Sequence, residues 1–327
     1  MKFINKLTTM AATAVVASTM ASPVMAAADR INVGYFLEWA TPNMIAKVEM
    51  AYDEALGVPT AWTAFEAGTQ MTEAMLAGDI DISFSQGLAP FINGVNANAP
   101  IKMVGLAVQY PANECIVRNG AGIDMSNASE LEGKKVAVPL ATMADFSFRM
   151  QMIALDVDVS KITVVDMVPA DGVVALGEGN VDMACVFGGN ALAGAKEVGK
   201  QLFPAGEMEK RGIVSFDVVS AREEFIQENP DMVRTFMTVT NDANVAFAKD
   251  QSKIGLIQKE SGLKDDAATK AQMDTMSFPT NAEQLEKYFG DDGIAAKAIK
   301  VVGDAFATKE NPAKDDYSVV IDTSFLK

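Results

Sequence analysis

The sequence of 327 residues contains no histidine. That removes the commonest general base, the commonest metal ligand and every Ser-His or Cys-His nucleophile system. There are only two cysteines, Cys115 and Cys185, too few for a four-cysteine zinc site. Basic residues are also scarce, 27 lysines and arginines against 43 acids, for a formal charge of −16. A chain this acidic is a poor partner for nucleic acid or for an anionic membrane surface. The longest early apolar run is too short for a spanning helix. These absences weigh against an enzyme and against a resident metal or cofactor. They leave chemistry by carboxylates alone, and they leave binding.

The apolar run has a second meaning. Lys2 and Lys6 precede "TMAATAVVASTM" and then "ASPVMA", with Val24 and Ala26 in a small-x-small cleavage pattern. We read residues 1–26 as a bacterial secretory signal, cut near Ala26, and expect a soluble periplasmic protein. No cysteine directly follows the run, so no lipid anchor is expected. Cleavage removes two lysines and no acids, taking the formal charge from −16 to −18. In an oxidising compartment Cys115 and Cys185 can form one disulfide, worth roughly 4 kcal/mol by chain entropy. Two buried free thiols are the alternative.

The remaining chain alternates strand and helix, which implies parallel sheets covered by helices. "INVGYF" reads as a buried strand, "PNMIAKVEMAYDEAL" (42–56) as one amphipathic helix, and "DIDISFSQ" and "IKMVGLAVQY" as further strands. The scheme then restarts at "NECIVRNG". Gly78-Asp79-Ile80-Asp81 leads into "ISFSQG", and Gly179-Asn180-Val181-Asp182 leads into "MACVFGG". This internal echo predicts two similar α/β lobes. We expect a first lobe over 27–110, a second over 111–217, and a mostly helical return to the first over 218–327. Two crossovers would then flank a cleft, where small ligands bind.

Four strand ends face that cleft: Glu38-Trp39, Gln86-Gly87, Thr142-Met143 with Asp145, and Phe187-Gly188. Three of them precede helices, whose free N–H groups can hold an anion without lysine. Glycine at such turns serves packing as well. Asp217 interrupts the apolar strand "IVSFDVVS". Burying it alone is expensive, so it takes either a ligand amine or an arginine or lysine partner. Glu38 either touches a ligand or braces its turn. Asp145 reads also as a helix N-terminal acid, and Glu66, Asp79 and Asp81 as turn residues. Trp39 and Phe187 either wall a ligand or fill the space between lobes. Arg118 and Arg149 read as structural partners of acids.

The blocks "VGYFLEWATP", "FEAGTQMTEAMLAGDIDISFSQGLAPF", "LEGKKVAVPL", "MVPADGVVALGEGNVDMACVFGGN" and "FDVVSAREEFIQENPDMVRTF" resemble the taurine-binding proteins of bacterial ABC importers. These belong to the wider group of nitrate, sulfonate and thiamine-precursor binders. The resemblance implies a two-lobed periplasmic binding protein of type II that closes on its ligand and delivers it to an inner-membrane permease. It implies that Asp217 takes the ligand's amine. It places sulfonate oxygens on the turns at Gln86-Gly87, Thr142-Met143 and Gly188-Gly189. Taurine or a related aminosulfonate is the expected solute. Met143, Ala144 and Asp145 depart from the hydroxyl or aromatic residues usual at this turn in taurine binders, and Phe187 from a Trp common at its position. Together, Glu38, Asp145 and Asp217 also suit a more cationic amine. A secreted enzyme built on Glu38 and Asp217 is a further alternative.

Overall fold

The computed structural model describes residues 28–111, 114–204, 206–290 and 293–327. The expected signal segment lies outside the described residues. Ten strands form two five-stranded sheets: β1 (Ile31–Phe36), β2 (Thr60–Phe65), β3 (Ile82–Gly87), β4 (Ile101–Tyr110), β5 (Glu114–Arg118), β6 (Lys135–Val138), β7 (Thr163–Asp166), β8 (Met183–Val186), β9 (Gly199–Gln201) and β10 (Ser215–Arg222). The orders are β2-β1-β3-β10-β4 and β7-β6-β8-β5-β9. In each sheet three parallel strands are followed by an antiparallel fourth, β10 or β5. The two halves therefore repeat one plan. The echoed motifs Gly78–Asp81 and Gly179–Asp182 lead into its equivalent central strands, β3 and β8.

The helices are α1 (Asn43–Val48), α2 (Ala51–Leu56), α3 (Gly68–Ala77), α4 (Leu88–Asn96), α5 (Met143–Ala154), α6 (Pro169–Gly177), α7 (Gly189–Val198), α8 (Glu207–Lys210), α9 (Glu223–Glu228), α10 (Pro230–Lys249), α11 (Ile254–Ser261), α12 (Asp266–Met273), α13 (Asn281–Glu283) and α14 (Ile294–Ala305). Helices pack on both faces of each sheet, and the apolar core divides accordingly. Ile80, Phe91, Ile92 and Ile299 fill one side of the first sheet, and Tyr52, Phe84, Val219 and Phe236 the other. Two smaller clusters, around Phe148 and around Leu176, flank the second sheet.

The chain leaves the first sheet after β4 and returns to it at Ser215, so Asp217 belongs to the first sheet. Residues 223–327 contribute helices to that side and no named strand among the described residues. The single helix expected over 42–56 is broken in two. Met50 adopts φ +58°, in the left-handed region, between α1 and α2. After the break Tyr52 is fully buried, stacks on Phe236 at 4.8 Å between ring centres, and shares a hydrogen bond with Thr240. Tertiary burial of this aromatic outweighs the continuity of the helical pattern.

Cys115 and Cys185 lie directly opposite each other on β5 and β8 and form a disulfide. It ties the incoming strand of the second sheet to its centre. Among the described residues no helix is long and apolar enough to cross a membrane.

Candidate functional site

A cavity of about 800 Å³ opens between the two sheets. Its first-sheet wall comes from the end of β1 (residues 36–39), the end of β2, Gly87, Tyr110 and Asp217. Its second-sheet wall comes from Thr142, Met143, the start of α6 at 168–171, and the segment 187–191. Most of these are the carboxyl ends of parallel strands, where the chain turns into a helix.

Asp217 is 3% exposed, yet it contributes to the cavity wall. Its two oxygens accept from neutral hydroxyls, Tyr110 Oη to Oδ1 and Ser85 Oγ to Oδ2, both at 2.8 Å. Ser85 is held at φ +69°, and Val218 and Val219 pair with Gln86 and Phe84, skipping it. This bulge is a local distortion that turns the Ser85 hydroxyl toward the acid. The Trp39 indole N–H also favours the charged carboxylate, without a well-formed hydrogen bond of its own. Loss of solvation dominates over all three and pushes the Asp217 carboxyl up to about 7. The group is thus short of positive charge, and an entering cation would supply it.

Glu38 is spent differently. It adopts φ +57°, and its N–H donates to the Ser261 carbonyl at 2.6 Å. Its carbonyl accepts from Gln272 Nε2 at 2.8 Å and from the Gly189 N–H at 3.2 Å. Its carboxylate Oε2 accepts from the N–H groups of Asn190 and Ala191, at 3.2 and 3.4 Å. The first three donors of α7 therefore all go to one residue of the opposite wall. Gly188, at φ +88°, allows this approach, because a Cβ there would stand 3.1 Å from Glu38 Oε2.

The profile of the NMT1/THI5-like family matches residues 53–254, more than half of the chain. The chain belongs to the NMT1/THI5-like family. It is 24% identical over 208 residues to the taurine-binding periplasmic protein of Escherichia coli, covering 64% of this chain and 63% of that protein's length. The chain thus spans a little under two thirds of that relative. The fold is similar to that of the alkanesulfonate-binding protein SsuA from Xanthomonas axonopodis pv. citri, solved bound to MOPS, with a TM-score of 0.72 at 18% identity over 91% of this chain and 99% of that one. It is also similar to the desulfurization enzyme DSZB, with a TM-score of 0.62 at 14% identity over 91% of this chain and 98% of that one. The same fold is thus found in a binding protein and in an enzyme.

Of the expected site residues, Glu38, Trp39, Gly87, Thr142, Met143, Phe187, Gly188 and Asp217 meet in the cavity wall. Two expected there do other work. Gln86 is fully buried, and its amide donates to the Gly68 carbonyl and Thr72 Oγ1 while accepting from Ser220. It ties β3 to α3 and β10, because the bulge at Ser85 shifts the alternation and leaves Gln86 on the α3 face with Ser83, opposite Phe84. Asp145 is buried beside its own helix, accepting from the Ala141 N–H and from Arg149 one turn on. It is the helix N-terminal acid, and Arg149 is its structural partner. Arg118 pairs likewise with Asp182. At the Gly188-Gly189 turn, expected to seat sulfonate oxygens, the Gly189 N–H donates to the Glu38 carbonyl. Asp217 has hydroxyl partners in place of the arginine or lysine weighed from sequence.

Sequence reasoning missed Tyr110 and Ser85, the donors to Asp217, and Asp171 in the first turn of α6. Asp171 had the same signal as the other sites, an acid at a strand-to-helix turn. Glu66, read as a turn residue, joins the wall. Among the described residues the wall thus carries Glu38, Glu66, Asp171 and Asp217, and no lysine or arginine.

Proposed function

We propose that this protein is the periplasmic solute-binding component of an ABC importer and that its solute is a small organic amine. One observation carries the reading. Asp217 is a buried carboxylate at the wall of a ligand-sized cavity, and its hydrogen-bond partners are neutral hydroxyls. An ammonium group placed against it restores the missing charge and forms a charge-assisted hydrogen bond. The acidic wall favours the same sign of ligand. Export through a cleaved signal and delivery to an inner-membrane permease are parts of this proposal, supported by the sequence pattern and by the similarity to a periplasmic taurine-binding protein.

At each helix end expected to hold a sulfonate, at least one donor is engaged inside the protein. At α7 the donors go to Glu38, at α5 the Ala144 N–H goes to the Thr142 hydroxyl, and at α4 the Ala89 N–H goes to Met143 Sδ. This favours an amine of net positive charge over a zwitterion. Taurine is the second reading, favoured by the similarity to the E. coli taurine-binding protein. Binding without turnover is the simpler use of the site, because the Glu38 carboxylate, the other acid of a paired-carboxylate enzyme, is engaged by α7.

Calorimetric titration of the purified protein with 1,2-diaminoethane, taurine and ethanesulfonate separates the readings. The amine reading expects the diamine to bind most tightly and ethanesulfonate least. Binding of ethanesulfonate with no binding of either amine would overturn it.

A further inference from the structure

Glu38 holds a conformation that a non-glycine residue adopts at a cost, and three hydrogen bonds to its main chain, with Ser261, Gly189 and Gln272, keep it there. Gln272 is a clamp in this arrangement. It donates to the Glu38 carbonyl and accepts from the Ala40 N–H, so the backbone on either side of Trp39 is fixed to α12. Asn190 closes the contact with a second bond, from its side-chain amide to the Gly262 carbonyl. The head of α7 thus packs against two separate segments of the first-sheet side.

The charge placement is specific. A helix start concentrates partial positive charge and unpaired donors, the condition that binds anions. In α7 the donors of Gly189, Asn190 and Ala191 are all met by the main chain and carboxylate of Glu38. A carboxylate has the charge and oxygen acceptors of a sulfonate. The protein itself therefore supplies the anion at this end of the cavity.

We propose that Glu38 is a specificity-determining residue that fills the head of α7 with the protein's own carboxylate and so excludes a sulfonate or similar oxyanion from that end of the cleft. The proposal rests on the reading of this cleft as a solute site, and it concerns the anionic end only. An incoming oxyanion must displace Glu38 and meet its repulsion together with that of Asp171 and Glu66. An amine meets no such barrier and gains from the same acids.

The test is calorimetric titration of the purified protein with ethanesulfonate, for wild type, Glu38→Gly and Glu38→Asn. Glycine suits φ +57° and removes the carboxylate. Asparagine tolerates that conformation, is neutral, and is too short to reach both donors. Melting curves establish that each variant is folded, and either one suffices. The expected result is a gain of at least tenfold in ethanesulfonate affinity over wild type. Unchanged, absent or weaker binding in a folded variant would overturn the proposal. Asp217→Asn titrated with 1,2-diaminoethane tests the amine reading separately, so failure of one is distinguishable from failure of the other.

Discussion

Solute binding should depend on pH through Asp217 and should release a proton. In the ligand-free protein burial pushes this carboxyl up to about 7, against an ordinary value of 3.8. An ammonium ligand pairs with the ionised form alone. Below pH 7 the empty site is protonated and must lose its proton when the amine enters, so affinity falls as the pH falls. For a single group of this pKa, the ionised fraction drops roughly 50-fold between pH 7 and pH 5, and affinity for 1,2-diaminoethane should drop with it. Calorimetry at several pH values reads the affinity, and paired buffers of different ionisation heat read the proton. Asp217→Asn should weaken amine binding and abolish the pH slope. Affinity that stays flat from pH 5 to pH 8, or a slope that survives in the Asn variant, would refute the reasoning.

The same group has a mirrored effect on stability. Its folded pKa is raised, so the stability present below pH 4 is lost as the pH rises toward 7, by roughly 4 kcal/mol in total. Ligand-free Asp217→Asn should therefore resist urea better than wild type at pH 8, and equal resistance would count against the strained carboxylate. Tyr110→Phe removes one hydroxyl from Asp217 and should weaken amine binding by about tenfold, measured by the same titration. Reducing the disulfide between Cys115 and Cys185, which are 70 residues apart, should lower unfolding free energy by roughly 4 kcal/mol in denaturant titrations. Gly189→Ala places a Cβ into Leu263 and against Gln272. It should prevent the two walls from meeting, seen as a larger radius of gyration in solution scattering with ligand present.

The repeat of β–α units was legible because alternating strand and helix patterns and the Gly-Asp echo are local features of the chain. Asp217 was legible for a related reason, since a charge inside an apolar strand contradicts its surroundings. What surrounds it was not. Tyr110 and Ser85 reach it through strand pairing across a bulge, and no local pattern encodes that register. Gln86 misled because a polar residue at a strand end looks available, while a central strand offers it three buried partners. The break at Met50 escaped the helical pattern because Tyr52, Phe236 and Thr240, distant in sequence, decide it. Glu38 was legible as an acid at a strand end, but its partner is a helix from the other half, which only the folded chain brings near.

A crystal structure of the protein with 1,2-diaminoethane tests the central claim most directly. We predict an amine nitrogen within hydrogen-bond distance of the Asp217 carboxylate, with the Glu38 carboxylate still on Asn190 and Ala191. A diamine seated elsewhere, with Asp217 bonded only to Tyr110 and Ser85, would contradict it.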